Sequence, residues 1–114
     1  MTNPNFMNGV PELLILRLLE EHEMYGYELV QAIKARTKDA ISFGEGVVYP
    51  ILHALEHEGA LKSRRKAVNG RTRVYYTVTA RGTKHLAGLL EQWNRVTGAL
   101  SHVVKETGRV PRAV

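Results

Sequence analysis

The chain has 114 residues, enough for one ordinary domain with a real core but not for two. It contains no cysteine, which excludes disulfide frameworks, thiolate metal sites and cysteine nucleophiles, and fits a reducing cytoplasm. Lys and Arg total 16 against 11 Asp and Glu, giving a formal charge of +5, which favours a polyanionic partner only where it is concentrated on one surface.

No apolar run approaches the ~18 residues of a membrane span. Met1-Thr2-Asn3-Pro4-Asn5 lacks the basic and apolar segments of a leader, so neither membrane nor secretion is expected. Residues 10–21 read as a helix. Leu13, Leu14, Leu16, Leu18 and Leu19 form a broad apolar face, Arg17, Glu20 and Glu21 face water, and Pro11 suits the first turn. After the polar break His22-Glu23-Met24, a second helix is predicted over about 25–36. Tyr27, Leu29, Val30 and Ile33 are placed to pack, while Glu28, Gln31, Lys34 and Lys38 stay outside. Gly26 allows a tight turn or a close approach.

The third helix begins with Ser42 and Glu45, spaced as a capping box. Val48, Ile51, Leu52 and Leu55 make its apolar stripe, and Gly59 is its C-terminal stop. Pro50 conflicts with this pattern, because its ring meets the carbonyl of residue 46. Gly46 stands there and leaves the backbone free to yield, so a bend or a loosened first turn is expected. A hairpin follows, with strands at 61–66 and 73–78. Val74, Tyr76 and Val78 alternate with Arg73, Tyr75 and Thr77. Asn69-Gly70 between them suits a type I′ turn, which needs positive φ at both central residues. Thr79 then caps a long last helix, about 80–105. Leu86, Leu90, Trp93, Thr97, Leu100 and Val104 recur along it at steps of four and three, forming a seam. Residues 107–114 are expected to fray.

Three helices, a hairpin and a long helix are the parts of a winged helix-turn-helix module. In such modules one helix enters the major groove and the hairpin, or wing, reaches the adjacent backbone. The expected fold is therefore mainly α with a small β-hairpin. The DNA-binding part spans 1–79, a dimerisation helix 80–106 and a tail 107–114. The charge follows the same plan. Lys62, Arg64, Arg65, Lys66, Arg71 and Arg73 flank the Asn69-Gly70 turn with no acidic residue among them. That exceeds what is needed to protect an edge strand and suits contact with nucleic acid. Tyr49, early on the third helix, either offers its hydroxyl to a phosphate or base edge or anchors the helix half-buried. Tyr25, at the start of the second helix, carries the same two readings.

Several stretches also resemble one family. Met24-Tyr25-Gly26-Tyr27-Glu28-Leu29 is similar to the opening of the second helix in PadR-like proteins. The run from Gly46 to Gly59 resembles their recognition helix, with its Tyr-Pro-x-Leu and Leu-Glu-x-x-Gly elements. The run from Gly70 to Gly82 resembles their wing and the entry to their last helix. The resemblance covers about residues 10–105 and matches the smaller subgroup with one helix after the wing. It implies a transcriptional regulator, usually a repressor, that dimerises through terminal helices and in many members releases DNA on binding a small molecule. In multidrug-sensing members a tryptophan of the last helix stacks flat ligands between subunits, and Trp93 falls at the matching place. The chain departs from the pattern at Val47, where a small hydroxyl residue is common, and carries the acidic Glu45 near the expected phosphate path.

On this reading Val47, Tyr49 and His53 are candidates for groove contact. Tyr25, Arg64, Arg65, Lys66, Arg71 and Arg73 are candidates for holding the DNA backbone. Leu86, Leu90, Trp93, Leu100 and Val104 would form a homodimer seam with the first helix. Trp93 would meet a small aromatic effector or simply fill that interface. His53 and His57 share a helix face but have no evident third ligand, so no metal or other cofactor is expected. The Gly44-x-Gly46 pair follows no strand and lacks a third glycine, and no serine or histidine stands in a nucleophile motif, so an enzyme is not expected. The alternative function is a winged-helix adaptor that binds protein and does not read DNA.

Overall fold

The computed structural model describes residues 9–106. Helix α1 (Val10–Glu21) carries Pro11 in its first turn, where a missing N–H leaves no hydrogen bond unmade. Its Ile15 and Leu16 are fully buried at the centre of the molecule. The chain then forms a two-residue strand, β1 (Met24–Tyr25), before helix α2 (Gly26–Arg36). Tyr25 caps α2, and its backbone N–H donates to Glu28 Oε1 at 3.1 Å. That bond draws Glu28 inward, although the sequence pattern left it outside. Tyr27, expected to pack, is instead 51% exposed. Its place on the inner face is not needed, because Leu29 and Ile33 fill it.

After α2 the Thr37 hydroxyl donates to the Ile33 carbonyl at 2.8 Å and accepts the Ile41 N–H at 3.0 Å. Lys38 and Asp39 take left-handed φ values of 54° and 65° to turn the chain. Helix α3 (Glu45–His57) starts at Gly44, which caps it without a side chain. Both Val47 and Val48 direct their N–H groups to the Gly44 carbonyl, at 3.0 and 3.1 Å. The expected Ser42–Glu45 capping box therefore does not form, because Ser42 lies two residues before the cap. Pro50 stands on the exposed side of α3, and the helix runs through it without a break. The C-terminus closes as a Schellman motif. Gly59, at φ 84°, donates to the Glu56 carbonyl at 3.0 Å, and Ala60 donates to the Leu55 carbonyl at 2.9 Å.

Strands β2 (Leu61–Val68) and β3 (Arg71–Val78) meet at Asn69-Gly70, with φ values of 51° and 78° that suit a type I′ turn. β1 adds to the far edge of β3, pairing Met24 with Tyr76 and Tyr25 with Tyr75, so the sheet order is β1-β3-β2. Strand alternation puts Tyr75 and Tyr76 on opposite faces, yet both are buried. Tyr76 joins the core, whereas Tyr75 is covered by Tyr25, its edge-on neighbour at 5.4 Å.

Helix α4 (Ala80–Glu106) is capped by Thr79, whose Oγ1 accepts the Gly82 N–H at 3.1 Å and donates to the Gly59 carbonyl at 2.6 Å. One hydroxyl thus ties the end of α3 to the start of α4. Gly82 packs against the Ala60 carbonyl, where a Cβ has no room. Leu86 is 1% exposed and completes the core of the single chain, with Leu29, Ile33, Val48, Leu52 and Tyr76. It is therefore not part of an unpartnered seam, because the fold brings α1 and the sheet against it. Farther along, Leu90 and Trp93 are half-buried, while Leu100, Val103 and Val104 are exposed. Among the described residues, no helix is long and apolar enough to cross a membrane. The expected fraying of 107–114 lies outside the described residues.

Candidate nucleic-acid interface

The outer side of α3 follows from its inner one. Val48, Leu52 and Leu55 turn one stripe into the core. At 3.6 residues per turn the opposite stripe carries Gly46, Val47, Pro50, His53, Ala54 and His57, all exposed. The stripe has no acidic residue, and its two imidazoles are its only polar side chains. Tyr49 lies between the two sides. Its ring rests on Gly26 so closely that any Cβ there would overlap it. Burial, together with nearby Glu45, pushes the Tyr49 hydroxyl pKa up. Tyr49 is thus the contact that seats α3 against α2, and the glycine is what allows it. Its ring lies 6.3 Å from that of His53.

Beyond the short pairing with β1, the edge of β3 stands open and faces α3 across a cleft of about 290 Å³. Tyr25, Gly26, Tyr49, His53, Thr72, Arg73, Val74 and Tyr76 line it. Four of the nine residues singled out for DNA contact, Tyr25, Tyr49, His53 and Arg73, therefore meet in one place. Val47 stands apart, 41% exposed on the outer stripe.

The wing cations divide by register. Arg64 pairs with Tyr75, Lys66 with Arg73, and Val68 with Arg71. Directly opposed residues share a face, so Lys62, Arg64, Lys66, Arg71 and Arg73 stand on the face of Tyr25 and Tyr75. Arg65, opposite Val74, stands on the other face, from which Ser63 hydrogen-bonds Glu56 of α3. The basic cluster is thus split between two faces, because a strand alternates whatever its charge. Arg73 lies 4.5 Å over the Tyr25 ring and Lys66 4.9 Å over Tyr75. These are cation–π contacts that stiffen the base of the wing.

Sequence reasoning did not reach Glu23. In the turn between α1 and β1 it accepts two hydrogen bonds from Arg64, at 2.9 and 2.6 Å, and lies 3.6 Å from Lys66. The hydrogen bonds from Arg64 hold its carboxyl below the usual carboxylate range. No local pattern signals this pairing, because the partners lie 41 residues apart and meet only through the sheet.

Trp93 lies with Gly9, Val10, Glu12, Leu13, Leu89 and Gln92 around a hollow of about 100 Å³ between α1 and α4. Ligand pockets usually enclose about 300–1,000 Å³, so a single chain does not enclose a flat aromatic molecule there.

These parts now compose a winged helix-turn-helix: α2 and α3 joined through the turn and short connection at 37–44, an exposed α3 stripe, a basic hairpin and a long α4. A family model described as the PadR-like family of transcriptional regulators matches residues 15–88. The chain belongs to the PadR-like family. It is a transcriptional regulator and not an enzyme. A transcriptional regulator of Mycobacterium tuberculosis, Rv3488, is 32% identical over 101 residues, covering 85% of this chain and 92% of that one. A protein of Streptococcus mutans, smu.1704, has a crystal structure that superposes with a TM-score of 0.77 at 34% identity, covering 93% of this chain and 94% of the other. The structure of a transcriptional regulator from Clostridium thermocellum gives a TM-score of 0.80 at 27% identity, covering 91% of this chain and 99% of that one. Such regulators act by binding DNA.

Proposed function

We propose that this PadR-like regulator is a sequence-specific repressor that binds duplex DNA as a homodimer. The observation that carries the reading is the exposed, acid-free stripe of α3 beside a wing whose Lys62, Arg65 and Arg71 form no ion pair among the described residues. In this reading α3 enters the major groove. His53 and His57 are its hydrogen-bonding groups, and Val47 and Ala54 suit thymine methyls. With so few polar groups on the stripe, the shape of the duplex carries much of the selectivity. The wing tip and Arg65 hold phosphates. Tyr25, Tyr49 and Arg73 keep the cleft between α3 and β3 in shape and are contacts only at its rim.

A second copy would cover Leu100 and Val104, which are 48% and 70% exposed along the C-terminal half of α4. Two α3 helices would then address half-sites about 34 Å apart, and an occupied operator would exclude polymerase. A second chain would also enlarge the Trp93 hollow to the size of a flat aromatic effector. Effector binding there would change the spacing of the two α3 helices and weaken the fit.

Selection of duplexes from a random pool at physiological salt tests the whole reading. A two-fold consensus is expected. Recovery of no consensus, with no preference for duplex, would instead favour the protein-binding adaptor. On the selected site Arg71→Ala should lower the slope of log affinity against log salt by ~0.9, one phosphate contact's share. Fluorescence anisotropy over a salt series measures it.

A further inference from the structure

The wing cations differ in what already holds them. Arg64 gives both arms of its guanidinium to Glu23, through Nε at 2.9 Å and Nη2 at 2.6 Å, and Lys66 Nζ stands 3.6 Å from the same carboxylate. This two-pronged grip is the one a guanidinium uses on a phosphate. Glu23 is also the least exposed of the ion-paired carboxylates, at 24%. Lys66 is further held over the Tyr75 ring at 4.9 Å. Lys62, Arg65 and Arg71 have no such acidic partner among the described residues.

We propose that Glu23 is an internal stand-in for a DNA phosphate, occupying Arg64 and Lys66 in the free protein so that a duplex must displace it to use either cation. The proposal rests on the DNA-binding reading above and concerns how that surface is regulated. Displacement leaves a carboxylate among phosphates, so it opposes binding to any duplex whatever its sequence. Glu23 therefore withholds two counterion-releasing contacts and keeps non-specific affinity low, while α3 and the wing tip decide the site. This would make Arg64 and Lys66 a reserve and not standing backbone contacts.

The test measures anisotropy of a labelled duplex of arbitrary sequence over a salt series, with the full-length protein and Glu23→Gln, Arg64→Gln and the double variant. Glu23→Gln should bind about two- to fivefold tighter, the range of an exposed ion pair. Its salt slope should steepen by ~0.9 for each cation released, to a total near ~2. Arg64→Gln should leave the parent's affinity and slope nearly unchanged yet remove about half of the added slope in the Glu23→Gln background. Unchanged or weaker binding by Glu23→Gln, with an Arg71-dependent slope intact in the parent, overturns the proposal alone. So does a drop of ~0.9 in the parent's slope on Arg64→Gln, which would show that Arg64 already touches phosphate. Failure of every variant to bind duplex overturns the proposal together with the DNA reading.

Discussion

Gly26 and Tyr49 show how much one missing methyl group decides. The Tyr49 ring occupies the space a Cβ would take on Gly26, so α2 and α3 approach only because residue 26 has no side chain. Gly26→Ala should destabilise the fold by about 1–3 kcal/mol through overpacking, read as a lower urea midpoint at unchanged slope. The sequence marked Gly26 as a point of close approach but left Tyr49 undecided between anchor and DNA contact, since a tyrosine one residue off an apolar stripe suits either. Charged residues give a second expectation. Hydrogen bonds from Arg36 hold the Glu21 carboxyl below its ordinary 4.5, as those from Arg64 do for Glu23. A depressed folded-state pKa adds stability that is complete above the unfolded value and fades as pH falls through the folded one. Stability should therefore fall between about pH 4.5 and lower values. Glu21→Gln should flatten that acid limb, as followed by denaturant melts at a series of pH values.

At the scale of elements, one side chain at a joint ties two helices together. Thr79 serves as cap of α4 and as donor to the Gly59 carbonyl, which belongs to the Schellman turn ending α3. Thr79→Ala should cost about 1–2 kcal/mol, more than a solitary cap, and lower Tm by several degrees, whereas Thr79→Ser should keep most of it. Caps with a glycine or a local hydroxyl were legible beforehand at Gly59 and Thr79. The cap of α3 was not, because the Ser42–Glu45 spacing fits the capping pattern while the backbone begins the helix only at Glu45, after Gly44. The strand β1 was equally hidden. Two residues carry no periodicity, and Met24-Tyr25 becomes a strand only because β3 lies beside it.

Across the whole molecule, α4 changes role along its length. Up to Val96 it packs on the chain itself, and beyond that Leu100 and Val104 are 48% and 70% exposed. An exposed apolar run of this kind is expected to be covered in the working assembly. The pair of changes Leu100→Asp and Val104→Asp should give a monomer by sedimentation and should weaken operator binding far more than it lowers thermal stability. The reason is that neither side chain belongs to the core, whereas two half-sites must be bound together.

The sequence by itself determined the order of the four helices and the hairpin, the Asn69-Gly70 turn, the caps at Gly59 and Thr79, and the family resemblance. Each is written in local spacing or in backbone chemistry that a few residues impose. Only the tertiary structure decided which face each charge takes, that Leu86 belongs to the chain's own core, that Tyr49 rests on Gly26, and that Glu23 holds Arg64. Those outcomes depend on residues far apart in the chain being brought within a few ångströms, and no local pattern encodes that distance.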